Sequence, residues 1–234
     1  MLFRKRKRIS AVIAAAGGSE RFGENKIFAE LFGEPVILRT LRAFEESPVI
    51  SEIVLVTRGG DMERAAALAR ENNITKLAQV TTGGKTRAES VLSGLFAVSK
   101  KAGIIAIHDG ARPLVTPEII EEAVRKAEKR HAAAPAVPVK ATVKLAKGGV
   151  VISTPERGHL YETQTPQAFT AELIKAAVEL AVREGRAPSD DCCAVEAMGV
   201  AVYLTRGSYE NIKLTTPEDM ALAEAILKGR ESGR

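Results

Sequence analysis

Two cationic side chains follow a glycine-rich break at the end of the first long apolar segment, residues 9–16. Gly17 and Gly18 end that segment, and Arg21 and Lys26 follow them. Backbone N–H groups beside glycine are accessible to an anion. Arginine can donate two parallel hydrogen bonds to a phosphate, and lysine supplies a mobile charge. The spacing matches neither the Walker loop nor the GxGxxG fingerprint. The pattern therefore predicts a polyphosphate site, and the alternative is an ordinary strand-to-helix turn with solvated cations.

A carboxylate and another cation follow a second apolar segment, residues 104–107. Asp109 and Arg112 come directly after it. Mg²⁺ that arrives with a triphosphate takes few protein carboxylates beside phosphate oxygens and water, so Asp109 is a candidate metal ligand. The alternative is an aspartate that caps a turn. Arg112, next to Pro113, suits a second anionic group, whereas His108 is expected to be a packed residue at the end of a strand.

These residue types favour chemistry at phosphorus over other reactions. Such a displacement needs aligned reactants and neutralised charge, which clustered cations and one carboxylate can supply. The sequence has no Gly-x-Ser-x-Gly nucleophile elbow and no persuasive Ser/His/Asp set. Hydride transfer and nucleophilic hydrolysis are therefore disfavoured, and a displacement at phosphorus is predicted.

An alternation of apolar segments and amphipathic helices must bring these groups together. The alternation predicts an α/β fold, with a mostly parallel sheet and helices on both faces. Ligands bind at the carboxyl ends of the strands in such sheets. The predicted strands cover residues 9–16, 53–57, 77–81, 104–107, 136–139 and 200–204. The predicted helices begin at Pro35 and after Asp61, cover residues 86–99, 118–131, 171–184 and 189–198, and end with one opened by Thr216 and Pro217.

Residues 142–153 interrupt this alternation and indicate a β-hairpin around a Gly-Gly turn. Such a hairpin has few core partners in its own chain. We therefore expect an arm at about residues 140–155 that forms a homodimer by reaching over a second copy. The alternative is a surface flap on a monomer. A polar loop is expected at residues 163–167, and the absence of linker-like composition predicts one domain, residues 1–234.

Composition argues against a nucleic-acid partner. The formal charge is +5, but much of the basic excess lies in residues 4–8 and 228–234, which are expected to be solvated tails. Aromatic residues make up only 4% of the 234 residues, and there is no tryptophan, so bases would find few rings for stacking. Anionic small-molecule substrates explain the remaining positive charge as well as DNA would.

The two cysteines indicate a reducing compartment. Cys192 and Cys193 are adjacent, which is a poor arrangement for a structural disulfide and lacks the spacing of a zinc site. No apolar run approaches the length of a membrane span, and the N-terminus lacks the apolar region of a signal peptide. We therefore expect a cytoplasmic protein without membrane association.

Five motifs, in order and over about residues 9–228, resemble those of the 2-C-methyl-D-erythritol 4-phosphate cytidylyltransferase family. They are Ala15-Ala16-Gly17 with Arg21 and Lys26, Gly83-Gly84-x-x-Arg87-x-x-Ser90-Val91, His108-Asp109-x-Ala111-Arg112-Pro113, Thr165-Pro166-Gln167 and Asn211-Ile212-Lys213-Leu214-Thr215. The resemblance implies a Rossmann-like nucleotidyltransferase fold and a homodimer with exchanged β-arms. It also implies that the phosphate of methylerythritol 4-phosphate attacks the α-phosphate of CTP, with Mg²⁺ as cofactor and release of pyrophosphate, in the non-mevalonate isoprenoid pathway.

The same resemblance implies individual site residues. The catalytic cations would be Arg21, Lys26 and Lys213. The nucleotide would lie against Ala15, Ala16, Gly17, Gly84, Lys85 and Ser90. The polyol phosphate would lie against Asp109, Gly110, Arg112, Thr165, Ser189 and Lys213, with Thr142 and Arg157 contributed by the arm of a second copy. Asp109 would also hold the Mg²⁺.

Three other functions are compatible with the motifs. One is a cytidylyltransferase that acts on ribitol 5-phosphate, and another is a nucleotidyltransferase that makes a different activated sugar. The third is a nucleotide-binding module without catalysis, which the joint presence of Arg21, Asp109 and Lys213 disfavours, because a pure binder has no need of cations focused on one phosphorus.

Overall fold

A computed structural model describes residues 8–17 and 26–233. The strands are β1 Arg8–Ala14, β2 Glu30–Leu31, β3 Glu34–Pro35, β4 Glu52–Thr57, β5 Leu77–Thr82, β6 Ala102–Asp109, β7 Ala132–Pro138, β8 Leu145–Lys147, β9 Val150–Ser153, β10 Tyr161–Thr163, β11 Gln167–Thr170 and β12 Tyr203–Arg206. The helices are α1 Val36–Glu46, α2 Met62–Glu71, α3 Arg87–Ala97, α4 Pro117–Arg130, α5 Ala171–Arg183, α6 Asp191–Glu196 and α7 Pro217–Glu231.

The main sheet has eight strands in the order β10-β7-β11-β6-β1-β4-β5, and β12 pairs with β7. The strands β6, β1, β4 and β5 run parallel to one another. β1 is central because its residues are almost wholly buried on both faces, which suits a parallel strand covered by helices on each side. The predicted α/β architecture is confirmed.

Side chains alternate across β1 and divide the core into two layers. Ile13 joins the layer that contains Phe44 of α1 and Ile120 of α4, whereas Val12 joins the layer that contains Leu95 of α3 and Ile174 of α5. Neighbouring residues of a strand point to opposite faces, so one strand anchors helices on both sides. The two layers fix the end of β1 firmly beside the ends of its neighbours.

The antiparallel part of the sheet differs from the prediction. The expected polar loop is present at residues 164–166, but Thr163 before it ends β10 and Gln167 after it begins β11. β11 is antiparallel to both β6 and β7, and β10 is antiparallel to β7. Gln167 is nevertheless 1% exposed, because its side chain donates to Asp190 Oδ2 at 2.7 Å and accepts from the Cys192 N–H at 2.9 Å. Polar residues here are paired inside the protein, which the sequence pattern does not reveal.

Several element boundaries were also wrong. Pro35 ends the short β2–β3 pair, and α1 begins at the next residue. α6 begins only after Asp190, whose side chain accepts from the Cys193 N–H, and it ends at Glu196. β12 begins at Tyr203, three residues later than expected, because its pairing with β7 starts there.

The predicted hairpin is present as β8 and β9. Its turn residues Gly148 and Gly149 have φ values of +57° and +80°, a region that glycine enters without the steric cost of a side chain. All residues from 141 to 159 are exposed. The hairpin therefore projects from the sheet without burying its own apolar side chains.

Candidate functional site

The candidate site lies where β1 and β6 end side by side. Ala14 at the end of β1 is paired with Asp109 at the end of β6, and the Gly110 N–H donates to the Ala14 carbonyl oxygen at 2.9 Å. A cavity of about 320 Å³ opens at this edge, which we call the first cavity. Its lining residues are Ala14, Ala15, Ala16, Gly17, Lys26, Ile27, Gly84, Lys85, Thr86, Arg87, Ser90, Asp109, Ala111 and Lys213.

All the residues predicted to bind the nucleotide line the first cavity. Two glycines are needed here because the backbone segments approach each other closely. A Cβ at Gly83 would lie 2.4 Å from the Cβ of Ala16, and one at Gly84 would lie 2.4 Å from the Cβ of Glu89. The Gly84 N–H donates to Ser90 Oγ at 3.1 Å, so the first turn of α3 fixes this loop. Close backbone approach at these two glycines thus shapes one part of the cavity wall.

Three cations surround Asp109 in this cavity. Lys213 Nζ lies 2.8 Å from Asp109 Oδ2, Arg87 Nη2 lies 3.4 Å from Oδ1, and Arg112 Nε lies 3.8 Å from Oδ2. Burial opposes ionisation of this carboxyl, but Lys213 and the two arginines outweigh it and hold the pKa of Asp109 well below its usual range. Asp109 is therefore a carboxylate at neutral pH.

Arg87 is a site residue to which the sequence analysis gave no role. Its guanidinium donates to both carboxylate oxygens of Asp191, at 2.9 and 2.7 Å, and reaches Asp109 at 3.4 Å. Burial disfavours the charged form, but the two aspartates overcome it and raise the pKa of Arg87. Burial also raises the pKa of Asp191, and Arg87 opposes that rise. Arg87 lies in the first turn of α3, where the positive end of the helix dipole disfavours a cation. A cation at such a position is the sequence signal that indicates a carboxylate partner.

A second cavity, of about 260 Å³, lies beside the first and shares Lys213 with it. Arg112 lines it, with Nη1 donating to the Asn211 carbonyl oxygen at 2.7 Å. Its buried Nε has no hydrogen-bond partner within the part of the chain that the structure describes. Burial lowers the pKa of Arg112, and Asp109 opposes this. The full lining is Arg112, Val137, Glu162, Thr163, Gln164, Tyr209, Asn211, Ile212 and Lys213.

Thr165 lies behind Asp109 and is 4% exposed. Its Oγ1 accepts from the Asp109 N–H at 3.1 Å and lies 2.9 Å from His108 Nδ1. His108 is completely buried as predicted, and its Nε2 lies 3.2 Å from the Arg112 carbonyl oxygen. Burial lowers the pKa of His108 to about 4, so the ring is neutral at neutral pH.

Gly110 and Ser189 are not among the described residues that line the two cavities. A Cβ at Gly110 would lie 2.9 Å from the Cβ of Ala15 and 3.1 Å from Cδ1 of Ile37. The Ser189 Oγ lies 3.2 Å from the Cys193 sulphur, beside the start of α6. Their assignment to the polyol phosphate stays a prediction, and the structure gives both residues packing or capping contacts.

The remaining predicted residues differ in position. Lys26 begins a short 3-10 helix and lines the first cavity, while Arg21 lies outside the described residues. Thr142 and Arg157 are exposed beside the hairpin, and Arg157 Nη1 donates to the Lys140 carbonyl oxygen at 3.2 Å. Neither one is among the described residues lining these two cavities in its own chain, and their role toward the polyol phosphate stays a prediction.

The donor set fits a magnesium ion that arrives with a polyphosphate. Within residues 8–17 and 26–233 there is no group of three or more His, Cys, Asp or Glu residues that could hold a metal alone. Asp109 supplies one ionised carboxylate at the wall of the first cavity. Mg²⁺ commonly takes one or two carboxylates together with phosphate oxygens and water.

A search of the described residues for membrane spans finds no helix with the length and apolar character needed to cross a bilayer.

Comparison with known families gives a match over almost the whole chain. The sequence model of the family 2-C-methyl-D-erythritol 4-phosphate cytidylyltransferase matches residues 9–229. A relative of that name from Halalkalibacterium halodurans is 44% identical over 224 residues, which are 95% of this chain and 98% of the relative. Another of that name, from Geobacillus kaustophilus, is 45% identical over 222 residues, covering 94% of this chain and 97% of the relative.

Solved structures give the same result. The structure of 4-diphosphocytidyl-2C-methyl-D-erythritol synthase from Anaerococcus prevotii has a TM-score of 0.85 at 32% identity and covers 96% of this chain and 100% of that one. The structure of 2-C-methyl-D-erythritol 4-phosphate cytidylyltransferase from Thermus thermophilus has a TM-score of 0.78 at 30% identity and covers 93% of this chain and 98% of that one.

Proposed function

Because this chain belongs to the 2-C-methyl-D-erythritol 4-phosphate cytidylyltransferase family and transfers CMP from CTP to that polyol phosphate in isoprenoid biosynthesis, we propose that its two cavities hold the two substrates. Lys213 carries this proposal, because it lines both cavities. A cation at the junction of two anionic substrates can contact the phosphorus at which they react. The first cavity takes CTP, and the second takes methylerythritol 4-phosphate.

The first cavity suits the nucleotide because its wall is backbone and small side chains. The small residues Ala15, Gly17 and Gly84 let base, ribose or phosphate groups approach the backbone closely. Lys26 and Lys85 add positive charge at the same wall. The cavity therefore offers both close backbone contacts for a nucleoside and cations for its phosphates.

The second cavity suits the polyol phosphate because it is cationic on one side and polar on the other. Arg112 is part of its wall, and the planar guanidinium of arginine matches phosphate oxygens geometrically. Glu162 and Tyr209 are also part of the wall and can bond to hydroxyl groups. The phosphate of the polyol would lie toward Arg112 and Lys213, next to the first cavity.

The reaction forms a bond from a phosphate oxygen of the polyol to the α-phosphorus of CTP and breaks the bond to pyrophosphate. A phosphate oxygen is already ionised near neutral pH, so no general base is needed. Lys26, Lys213 and Arg21 would stabilise the charge that grows on the phosphoryl oxygens, which is how proteins accelerate this chemistry. Thr165 would act indirectly, by accepting the hydrogen bond from the Asp109 N–H, while Ser189 and Gly110 stay predicted contacts of the polyol phosphate.

Mg²⁺ is the proposed cofactor, and Asp109 is the residue that would hold it. When bound with the triphosphate, the ion neutralises phosphate charge and favours departure of pyrophosphate. Asp109 is paired with Lys213 at 2.8 Å in the protein alone. An anionic substrate would compete for that lysine, which would leave the carboxylate free to accept a new partner.

We also propose a cytoplasmic homodimer of single-domain chains. Apolar side chains on the hairpin are exposed, with Val150 69% and Ile152 61% accessible, and burial against a second copy would remove them from water. Thr142 and Arg157 would then reach the partner's second cavity. The free thiols of Cys192 and Cys193 support a reducing compartment, and no nucleic-acid partner is proposed.

The experiment measures pyrophosphate release from CTP with Mg²⁺ and either methylerythritol 4-phosphate or ribitol 5-phosphate. The proposal expects turnover with methylerythritol 4-phosphate and strong preference for CTP over ATP, GTP and UTP. Turnover with neither polyol phosphate would contradict the catalytic assignment of the cavities. A preference for ribitol 5-phosphate would contradict the substrate assigned to the second cavity.

A further inference from the structure

We propose that His108 is a positioning residue for the turn that carries Asp109 and Arg112. Its ring donates a hydrogen bond to Arg112 at one end of the turn. It also accepts a hydrogen bond from Thr165, which in turn accepts one from Asp109 at the other end. The inference rests on the proposed function, because it gives Asp109 and Arg112 their roles toward the substrates. His108 itself touches neither cavity among the described residues, so it would act only through its neighbours.

The hydrogen bonds of the buried ring define which nitrogen carries the proton. His108 Nε2 lies 3.2 Å from the carbonyl oxygen of Arg112. A carbonyl oxygen can only accept, so Nε2 must carry the hydrogen. A neutral ring then has a lone pair at Nδ1, which can only accept. Nδ1 lies 2.9 Å from Thr165 Oγ1, so the threonine hydroxyl must donate to it.

The Thr165 hydroxyl also accepts a hydrogen bond from the backbone of the turn. Because Thr165 Oγ1 donates its hydrogen to the histidine, it is free to accept from the Asp109 N–H, which lies 3.1 Å away. The Arg112 N–H in turn donates to the Asp109 carbonyl oxygen at 3.0 Å. The four hydrogen bonds form a closed ring in which every donor and acceptor is used once in a fixed direction.

This closed ring of hydrogen bonds explains why a histidine is buried here. His108 is 0% exposed, and its ring packs against Phe44 with centroids 5.0 Å apart. A phenylalanine would fill the same space without the cost of burying polar atoms. It would, however, leave the Arg112 carbonyl and the Thr165 hydroxyl unpaired in the interior, which is itself costly. An imidazole provides a donor and an acceptor on opposite sides of one rigid ring.

Other hydrogen bonds to this turn do not replace those made by His108 and Thr165. Thr40 Oγ1 of α1 donates to the Gly110 carbonyl oxygen at 3.0 Å, and the Leu214 N–H donates to the Ala111 carbonyl oxygen at 2.8 Å. These bonds hold the middle of the turn. The two ends, where the charged side chains leave the backbone, depend on His108 and Thr165.

The test compares steady-state kinetics of His108→Phe, Thr165→Val and the double variant in the full-length enzyme. Each single variant should lower kcat by about 10- to 100-fold, because a small displacement of a reacting group has a large effect on rate. The KM for CTP should change less than about threefold, since Ala15, Gly17 and Gly84 of the first cavity lie outside this turn. The double variant should be no slower than the slower single variant, because both changes break the same ring.

Two conservative variants separate positioning from general destabilisation. Thr165→Ser retains the hydroxyl and should keep kcat within about threefold of the parent enzyme. His108→Asn places an amide oxygen near the position of Nδ1 and should be faster than His108→Phe at equal thermal stability. If His108→Phe does not fold, Thr165→Val and Thr165→Ser decide the question. A wild-type kcat in Thr165→Val, or rate losses in the double variant that multiply, would overturn the proposal.

A spectroscopic measurement tests the hydrogen-bond ring independently of enzyme activity. Nitrogen-15 NMR of the imidazole at neutral pH should show the neutral tautomer with hydrogen on Nε2. Detection of hydrogen on Nδ1 alone would overturn the proposal even if the enzyme is active. Conversely, failure of the wild-type enzyme to use methylerythritol 4-phosphate would contradict the proposed function and leave this NMR result unchanged.

Discussion

At the scale of single residues, the buried carboxylates of the site are paired with cations before any substrate binds. Asp109 is held by Lys213, Arg87 and Arg112, and Arg87 is held in turn by Asp191. Buried charges are stable only when they are paired. We therefore propose that anionic substrates bind by exchange, taking Lys213 and Arg112 as partners, while Arg87 remains fixed by two hydrogen bonds to Asp191.

Arg112 allows this exchange to be tested from the polyol side. In Arg112→Met the second cavity loses a guanidinium from its wall, so the KM for methylerythritol 4-phosphate should rise by at least about tenfold. Arg112→Lys keeps the charge but loses the planar pair of donors, and it should be intermediate. The KM for CTP should stay within about threefold in both. Equal increases for the two substrates would contradict the assignment of Arg112 to the second cavity.

The lowered pKa of His108 predicts how the free energy of unfolding depends on pH. Its pKa falls from an ordinary value of 6.5 to about 4 in the folded protein. As pH falls below 6.5, the unfolded chain binds a proton that the folded protein does not bind, so the free energy of unfolding decreases until about pH 4. The loss between pH 7 and pH 5 should be about 2 kcal/mol. Asp109, whose pKa is lowered, contributes a loss only at more acidic pH.

Urea unfolding at pH 7 and pH 5 measures this difference. His108→Phe removes the titrating group, so the variant should lose about 2 kcal/mol less than the parent protein over this interval. His159→Gln changes an exposed histidine and is the matched control, with the parent pH dependence expected. An unchanged pH dependence in His108→Phe would show that the buried ring is not the group responsible.

At the scale of elements, local sequence rules predict most of the helices and parallel strands. Thr86 opens α3 with a reciprocal capping box to Glu89, and such signals are strong in sequence. β11 was missed because its burial depends on Gln167, whose partners Asp190 and Cys192 are distant in sequence. The role of Arg87 was missed for the same reason, since Asp191 lies in another element. Non-local pairing of polar residues is what the sequence pattern could not provide.

Gly94 tests how closely α3 approaches the sheet. A Cβ at this position would lie 2.4 Å from Cγ1 of Val12 and 2.8 Å from Cγ2 of Val56. Gly94→Ala should therefore lower the free energy of unfolding by about 1–3 kcal/mol through overpacking. Gly229→Ala in α7 is the control, because nothing lies within 4 Å of its Cβ, and it should raise the free energy of unfolding by about 0.5–1 kcal/mol.

Urea denaturation of both glycine variants provides the measurement. Equal stabilisation of the two variants would mean that α3 can move away from β1 and β4 without cost, contrary to the close packing described above.

At the scale of the whole molecule, the exposed hairpin is the part that the single chain leaves unexplained. In its strand β9, Val151 is 54% exposed and Ile152 is 61% exposed. Burying these apolar side chains against another surface would be more favourable than leaving them in water. Val151→Lys combined with Ile152→Lys should convert a dimer to a monomer in light scattering coupled to size exclusion. Phe96→Lys changes an exposed apolar residue of α3 that is 68% accessible and should leave the dimer intact. A monomeric parent protein, or a dimeric double variant, would contradict the arm.

We propose that Lys213, which lines both cavities, acts on the phosphoryl group transferred between them. The most direct measurement is kcat for Lys213→Met with both substrates saturating, beside the control Lys228→Met, which changes an exposed lysine of α7. Loss of a cation that stabilises the transferred phosphoryl group should lower kcat by about 10²- to 10³-fold, with the control unchanged. A folded Lys213→Met enzyme that retains the parent kcat would contradict the claim.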